Sequence, residues 1–299
     1  MTSTQQTRRA FLKTMGAGAV ALALPGCRPD AERPNADQPA EAPPLAQVGL
    51  QLWTVREAMK TDVAGTLQRI AEMGYAGVET AFFPEDVTLE QAGKMLRDVG
   101  LPVFAAHIEI PVGEHRDALL ATAEAYDCDR MVWHGWPEDE RYQTMDGIKR
   151  LAEIYNEALI FAQANGLRFG LHNHWWEFQA VAEGGYPFYL LKDLIEPEIF
   201  FEIDTYWTKV AGLDPAQVVG DFGERAPLLH IKDATALSTE GPMVAAGQGV
   251  QDFPAVVQAA NGATEWMIVE LDDCETDMFE AVAQSYRYLT ENGLARGKT

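Results

Sequence analysis

From Val48 onward the chain alternates between short apolar runs and segments with helical periodicity, and that alternation leaves few folds open. The strand-like runs are Val48–Thr54, Gly77–Ala81, Val103–Ile108, Arg130–Gly135, the stretch from Arg168 into His172, Ile199–Asp204, Ala226–Lys232 and Trp266–Leu271. Helical patterns lie over Asp62–Met73, Leu89–Val99, Glu114–Tyr126, Thr144–Asn165, Ala216–Phe222, Phe253–Ala260 and Asp277–Asn292. Gly74, Gly100 and Gly166 stand where three of these helices should end. Eight strands with helices between them predict an α/β protein, a (β/α)8 TIM barrel. A doubly wound open sheet would carry a glycine-rich phosphate turn after an early strand. Gln51-Leu52-Trp53-Thr54 is no such turn.

The segment before the first strand divides in two. Thr7-Arg8-Arg9-Ala10-Phe11-Leu12-Lys13 resembles a twin-arginine export signal, and the apolar stretch Met15–Leu24 is too short to remain as a spanning helix. Leu24-Pro25-Gly26-Cys27 resembles a lipobox, although Pro25 departs from the usual small residue. Residues 1–27 are therefore expected to be an export signal, with Cys27 lipidated and the mature protein tethered to a membrane in the periplasm. Residues 28–46 hold five prolines and no apolar periodicity, a composition that cannot offset ordering entropy and reads as a disordered tether. Residues 47–299 remain as one catalytic domain.

Charge narrows the partners. The formal net charge is -22, and residues 1–27 hold three basic and no acidic side chains, so removing them takes it to about -25. Such a surface repels polyanions and gives no electrostatic basis for binding nucleic acid. Only Cys128 and Cys274 lie outside the leader, in no metal-binding spacing, and two buried thiols are expected in preference to a disulfide.

Side chains alternate along a strand, so each strand-end candidate names its inward neighbours two residues away. His172 and His174 share a face with Gly170, Asp204 with Glu202 and Phe200, His230 with Leu228 and Lys232, and Glu270 with Ile268 and Trp266. The same rule adds Gln51, Trp53, Glu79, His107 and His134. Five of the six histidines thus fall at or near proposed strand C-termini, the face where barrels of this kind place their chemistry. A single histidine there is ordinarily structural, and Glu202 could simply pair with His172 in a deeper layer. Together, converging imidazoles and carboxylates carry a desolvation cost that a divalent cation relieves directly.

These residues resemble the sugar phosphate isomerase/epimerase superfamily, the xylose-isomerase-like barrels, over about residues 46–292. The likeness rests on Gly74-Tyr75-Ala76-Gly77-Val78-Glu79, His172-Asn173-His174-Trp175-Trp176-Glu177-Phe178, Asp204-Thr205-Tyr206-Trp207, Leu229-His230-Ile231-Lys232-Asp233, Gly247-Gln248-Gly249-Val250-Gln251-Asp252-Phe253 and Val269-Glu270. It implies one divalent ion (Mn²⁺, Co²⁺ or Mg²⁺) held by Asp204, His230, Glu270 and a fourth ligand from strand five. Many relatives carry an inward glutamate there. This chain has His172, so Glu177, folded back from the loop, is the expected ligand, with His172 or His174 as the competing one.

The resemblance further implies chemistry on a carbohydrate: removal of a proton beside a carbonyl, leading to isomerisation, epimerisation or dehydration. Glu177 and Glu270 are the expected bases, with His174 and Lys232 as further catalytic groups. Gln51, Trp53, His107, His134 and Trp207 are expected to hold the sugar. Export favours a non-phosphorylated or keto sugar. A sugar-binding lipoprotein without activity is the main alternative, and an apurinic endonuclease fits the charge poorly. A homo-oligomer is compatible with the sequence.

Overall fold

Strand side chains that point alternately inward and outward are the reason this chain closes on itself. In the computed structural model, which describes residues 44–137 and 139–298, eight parallel strands form one closed barrel in sequence order. They are β1 (Gln47–Gln51), β2 (Gly77–Thr80), β3 (Val103–Ile108), β4 (Arg130–Trp133), β5 (Arg168–His172), β6 (Phe200–Asp204), β7 (Leu228–Ile231) and β8 (Trp266–Val269). β1 pairs with both β2 and β8, so no edge is left open. The expected signal at 1–27, with its lipidated Cys27, and all but the last residues of the 28–46 tether lie outside the described residues. Among the described residues no helix is long and apolar enough to cross a membrane.

Outward side chains such as Leu50, Val78, Phe169, Leu171, Ile203, Leu229 and Met267 are buried against the surrounding helices. Inside, the lower barrel is filled by Phe104, Val132, Phe200, Leu228, Trp266 and Ile268. The Phe104 and Trp266 rings stack with centroids 3.8 Å apart. Two inward glycines make room for these aromatics. A Cβ on Gly49 would stand 2.4 Å from the Phe104 ring, and one on Gly170 2.3 Å from the Phe200 ring. Below the mouth the barrel is therefore a packed core, and chemistry is confined to its upper end.

Several strands stop earlier than their apolar runs. β1 ends at Gln51 and passes into a 3-10 turn over Leu52–Val55, β4 ends at Trp133 and β7 at Ile231. Trp53, His134 and Lys232 consequently sit just beyond strand ends. Short helices over Arg56–Met59, Pro187–Leu194 and Thr205–Val210 lacked a legible apolar period. The last of these starts at once after β6 because Asp204 caps it, Oδ1 accepting from the amides of Tyr206 and Trp207, each at 2.9 Å. Cys128 and Cys274 are free thiols, but only Cys128 is buried as expected, Cys274 being half-buried.

Candidate active site at the barrel mouth

Above the apolar plug the inward residues become polar, and strand register decides which of them meet. His172 lies opposite Glu202 across β5 and β6, and Asp204 opposite His230 across β6 and β7. Glu202 Oε1 is 2.8 Å from His107 Nε2, 3.0 Å from His172 Nδ1 and 3.1 Å from His230 Nε2. Glu79 Oε2 accepts from Gln51 Nε2 and lies 2.7 Å from His230 Nε2. All of these side chains are buried or nearly so. Burial, helped by the nearby Glu202, pushes Glu79 up to about 7. Burial also depresses His107 and, more strongly, His172, so both are neutral at physiological pH. Glu202 and His172 are thus paired in a deeper layer, one of the roles the sequence left open.

One step higher three buried atoms converge without hydrogen-bond partners: Asp204 Oδ2, His230 Nδ1 and Glu270 Oε2. One donor atom from each of these residues lies within 4.8 Å of the other two. His230 Nδ1 and Glu270 Oε2 approach to 2.6 Å without the alignment of a hydrogen bond. Lys232 Nζ is 3.2 Å from Asp204 Oδ2 and 3.0 Å from Glu270 Oε2, but its aligned hydrogen bond goes to Asp272 Oδ2 at 2.9 Å. The Asp204 and Glu270 oxygens meet positive charge at ion-pair distance but no aligned donor, and a bound cation would complete their satisfaction. Two carboxylate oxygens and one imidazole nitrogen aimed at a common point suit a divalent cation. The His230 ring is already oriented to ligate one, because Glu79 holds Nε2 and Nδ1 then faces the carboxylates.

The charges here are mutually set. Burial opposes the positive forms of His230 and Lys232, but the surrounding carboxylates outweigh it and hold both well above their ordinary values. Burial raises Asp204 to about 6. Burial also works against ionised Glu270, yet Lys232 and His230 prevail and keep it below the usual carboxylate range.

A cavity of about 470 Å³ opens above this group, within the size range of small-molecule sites. Its wall includes Trp53, His107, His134, Trp136, His172, His174 and Trp176, and Lys232, Glu270 and Asp272 also reach it. Burial pushes His134 down to about 4 and His174 well below its ordinary value, so the wall presents neutral imidazoles. Trp53 is 38% exposed and packs edge-on against Phe82. Gln51 lies beneath the cavity on Glu79. Trp207 is buried behind Lys232, whose ammonium is 5.1 Å from the indole centroid.

Glu177 is not brought to the converging atoms. The 3-10 turn Trp176–Phe178 folds it behind the wall, where Oε2 accepts from the His174 amide at 2.8 Å. Its Oε1 has no hydrogen-bond partner and lies 4.0 Å from His174 Nδ1. Burial raises it to about 8. The geometry assembles Asp204, His230 and Glu270 from the expected ligand set and leaves Glu177 outside it.

The family model described as xylose isomerase-like TIM barrel matches residues 67–291, most of the chain. The chain belongs to that family. A comparison with curated proteins finds no match. Among solved structures this xylose isomerase-like barrel is similar to a sugar phosphate isomerase/epimerase from Parabacteroides distasonis ATCC 8503, with a TM-score of 0.71 and 24% identity over 84% of this chain and 100% of that one. It is also similar to an L-ribulose 3-epimerase (TM-score 0.63, 18% identity, 84% of this chain and 95% of that one). An AP endonuclease of family 2 from Brucella melitensis shares the fold as well, with a TM-score of 0.62 and 14% identity over 83% of this chain and 98% of that one. Likeness at these identities shows the fold, which hosts different chemistries, so function has to come from the site.

Within this xylose isomerase-like barrel, three acidic residues matter more than their sequence context suggested. Glu79 and Glu202 form the floor on which the imidazoles are set, and Asp272 anchors Lys232. The signal for Glu202 and Asp272 was present, since each lies two residues from a recognised candidate, Asp204 or Glu270. Asp233 serves the loop instead. Its carboxylate accepts from the amides of Ala234, Gly247, Gly249 and Gln251, tying the Gly247–Gln251 loop beside β7.

Proposed function

We propose that this barrel is a divalent-metal-dependent sugar isomerase or epimerase that removes a proton beside the carbonyl of a non-phosphorylated sugar. The observation that supports it most is the convergence of Asp204 Oδ2, His230 Nδ1 and Glu270 Oε2, all buried and without hydrogen-bond partners, under a cavity of small-molecule size. A divalent cation bound by these three would supply Lewis acidity toward a carbonyl and its neighbouring hydroxyl.

The chain's own groups supply the rest. Glu270 reaches the cavity edge beside the converging atoms and can accept the proton. Lys232, kept cationic by Asp204, Asp272 and Glu270, is placed to meet the negative charge that develops on the sugar oxygens. His174 lies across the mouth on the β5 side, stacked on Trp176 with centroids 4.1 Å apart. As a neutral imidazole it can hydrogen-bond a sugar hydroxyl from a second direction, with Glu177 fixing its backbone, while the proton taken up by Glu270 is the one returned. His107 and His134 offer hydrogen bonds to hydroxyls.

The lining also favours an unphosphorylated substrate. Among the described lining residues Lys232 is the one permanent cation, and carboxylates already engage it. Dehydration would begin with the same proton removal and differ only in what leaves.

The test is solvent exchange. Metal-loaded protein incubated with keto-sugars in D₂O should place deuterium on the carbon beside the carbonyl. Glu270→Gln should reduce that rate by about 10²–10⁴-fold. A wild-type protein that binds sugar and metal but exchanges no proton would be a binding protein, and the proposal would fail.

A further inference from the structure

We propose that the substrate carries a second, uncharged sugar ring, and that this ring occupies an outer groove between the segments that follow β3 and β4. The inference rests on the sugar chemistry proposed above. The outer groove shares Glu109 and Trp136 with the inner cavity and continues along Val112, His115, Arg141 and Ile154. Trp136 is 51% exposed, the most exposed tryptophan among the described residues. It is nevertheless held in place. Its Nε1 donates to Glu109 Oε2 at 3.4 Å, and its ring meets those of His134 and Trp133 edge-on, with centroids 4.7 and 6.5 Å apart. A large apolar side chain fixed in a half-exposed position beside a polar cavity marks a binding surface.

The surroundings select the ligand. A pyranose offers C–H faces to an aromatic ring and hydroxyls that need donors and acceptors together. Trp136 supplies the ring. Arg141, whose Nε and Nη2 are committed to Asp139, has no Nη1 partner among the described residues, and Glu109 supplies a partly exposed carboxylate. Asp139 and Glu140 line the groove as well, so three carboxylates stand against one guanidinium. A phosphate, sulfate or uronate on the outer ring would be repelled. A neutral glycosyl group is the chemistry that fits.

The probes are D-fructose and its glucosyl or galactosyl derivatives joined at O3, O4 or O6, namely turanose, lactulose and isomaltulose. Binding to metal-loaded protein is measured by calorimetry, and deuterium uptake is followed in parallel. At least one disaccharide should bind about tenfold more tightly than fructose, or better, a difference the outer contacts can supply. Val112→Trp and Ile154→Phe narrow the outer groove without touching the inner cavity. Each should abolish that preference while leaving fructose binding and exchange as in the wild type. Exchange with fructose and no tighter binding of any disaccharide overturns the second ring alone. So does a preference that survives in both folded variants. No binding and no exchange with all four sugars overturns the proposed function with it.

Discussion

Glu177→Gln separates the geometry of this site from the simpler reading in which Glu177 is a metal ligand. In the structure Glu177 is buried, accepts one backbone hydrogen bond from His174, and leaves Oε1 without a partner. Burial raises it from 4.5 to about 8. Between those values the folded state keeps the proton and the unfolded chain has released it, so stability falls as pH rises. The contribution is fully present below pH 4.5 and lost by about pH 8. At about 1.4 kcal/mol per pKa unit the full span amounts to roughly 5 kcal/mol, an upper bound once water reaches the carboxylate. Glutamine keeps the volume and the acceptor while removing the titration. Urea unfolding of both proteins from pH 5 to pH 9 should therefore show the wild type losing at least about 2 kcal/mol relative to Glu177→Gln. With m-values of about 1–3 kcal/mol/M, that moves the midpoint by close to 1 M. The variant should also retain its metal. Parallel pH curves, or loss of the ion, would refute the burial argument.

Three further outcomes follow, two from individual contacts and one from the sequence. Gly135 has φ +77°, and a Cβ there would stand 2.9 Å from Glu177 Oε1, so Gly135→Ala should cost about 2 kcal/mol in urea unfolding and lower turnover by disturbing the cavity wall. Asp233→Ala strands four amides and should cost on the order of 3 kcal/mol, with limited proteolysis newly cutting within residues 245–251. The proposed lipid anchor predicts that Cys27→Ser shifts the mature protein from the membrane fraction to the soluble one without unfolding it. Unprocessed protein in the cytoplasm would end that proposal.

The barrel and half of its site are legible in the sequence for one reason: strand alternation is a strict period, so inward residues can be counted. That rule puts Asp204 and His230 on the inner face, and it still holds one residue past β7 and β8, at Lys232 and Glu270. It also puts Gly49 and Gly170 on the inner face, where the structure explains them by the aromatics they admit. Farther past the strand ends that period is lost. His174 and Glu177 lie beyond β5, where the direction of the chain depends on a 3-10 turn and a single amide–carboxylate contact. Trp207 was expected on the cavity wall, but Asp204 caps a helix that turns this indole behind Lys232. Glu79 and Glu202 were visible as inward residues. Their role as a floor for three imidazoles depends on distances across the barrel that no local pattern encodes.

The central claim is that Asp204, His230 and Glu270 converge to hold one divalent ion. Elemental analysis after loading with Mn²⁺ and removal of excess metal tests it directly, with the wild type beside His230→Ala. One ion per chain is expected in the wild type and almost none in the variant, with both proteins folded by circular dichroism. Equal metal content in the two, or none in either, would contradict it.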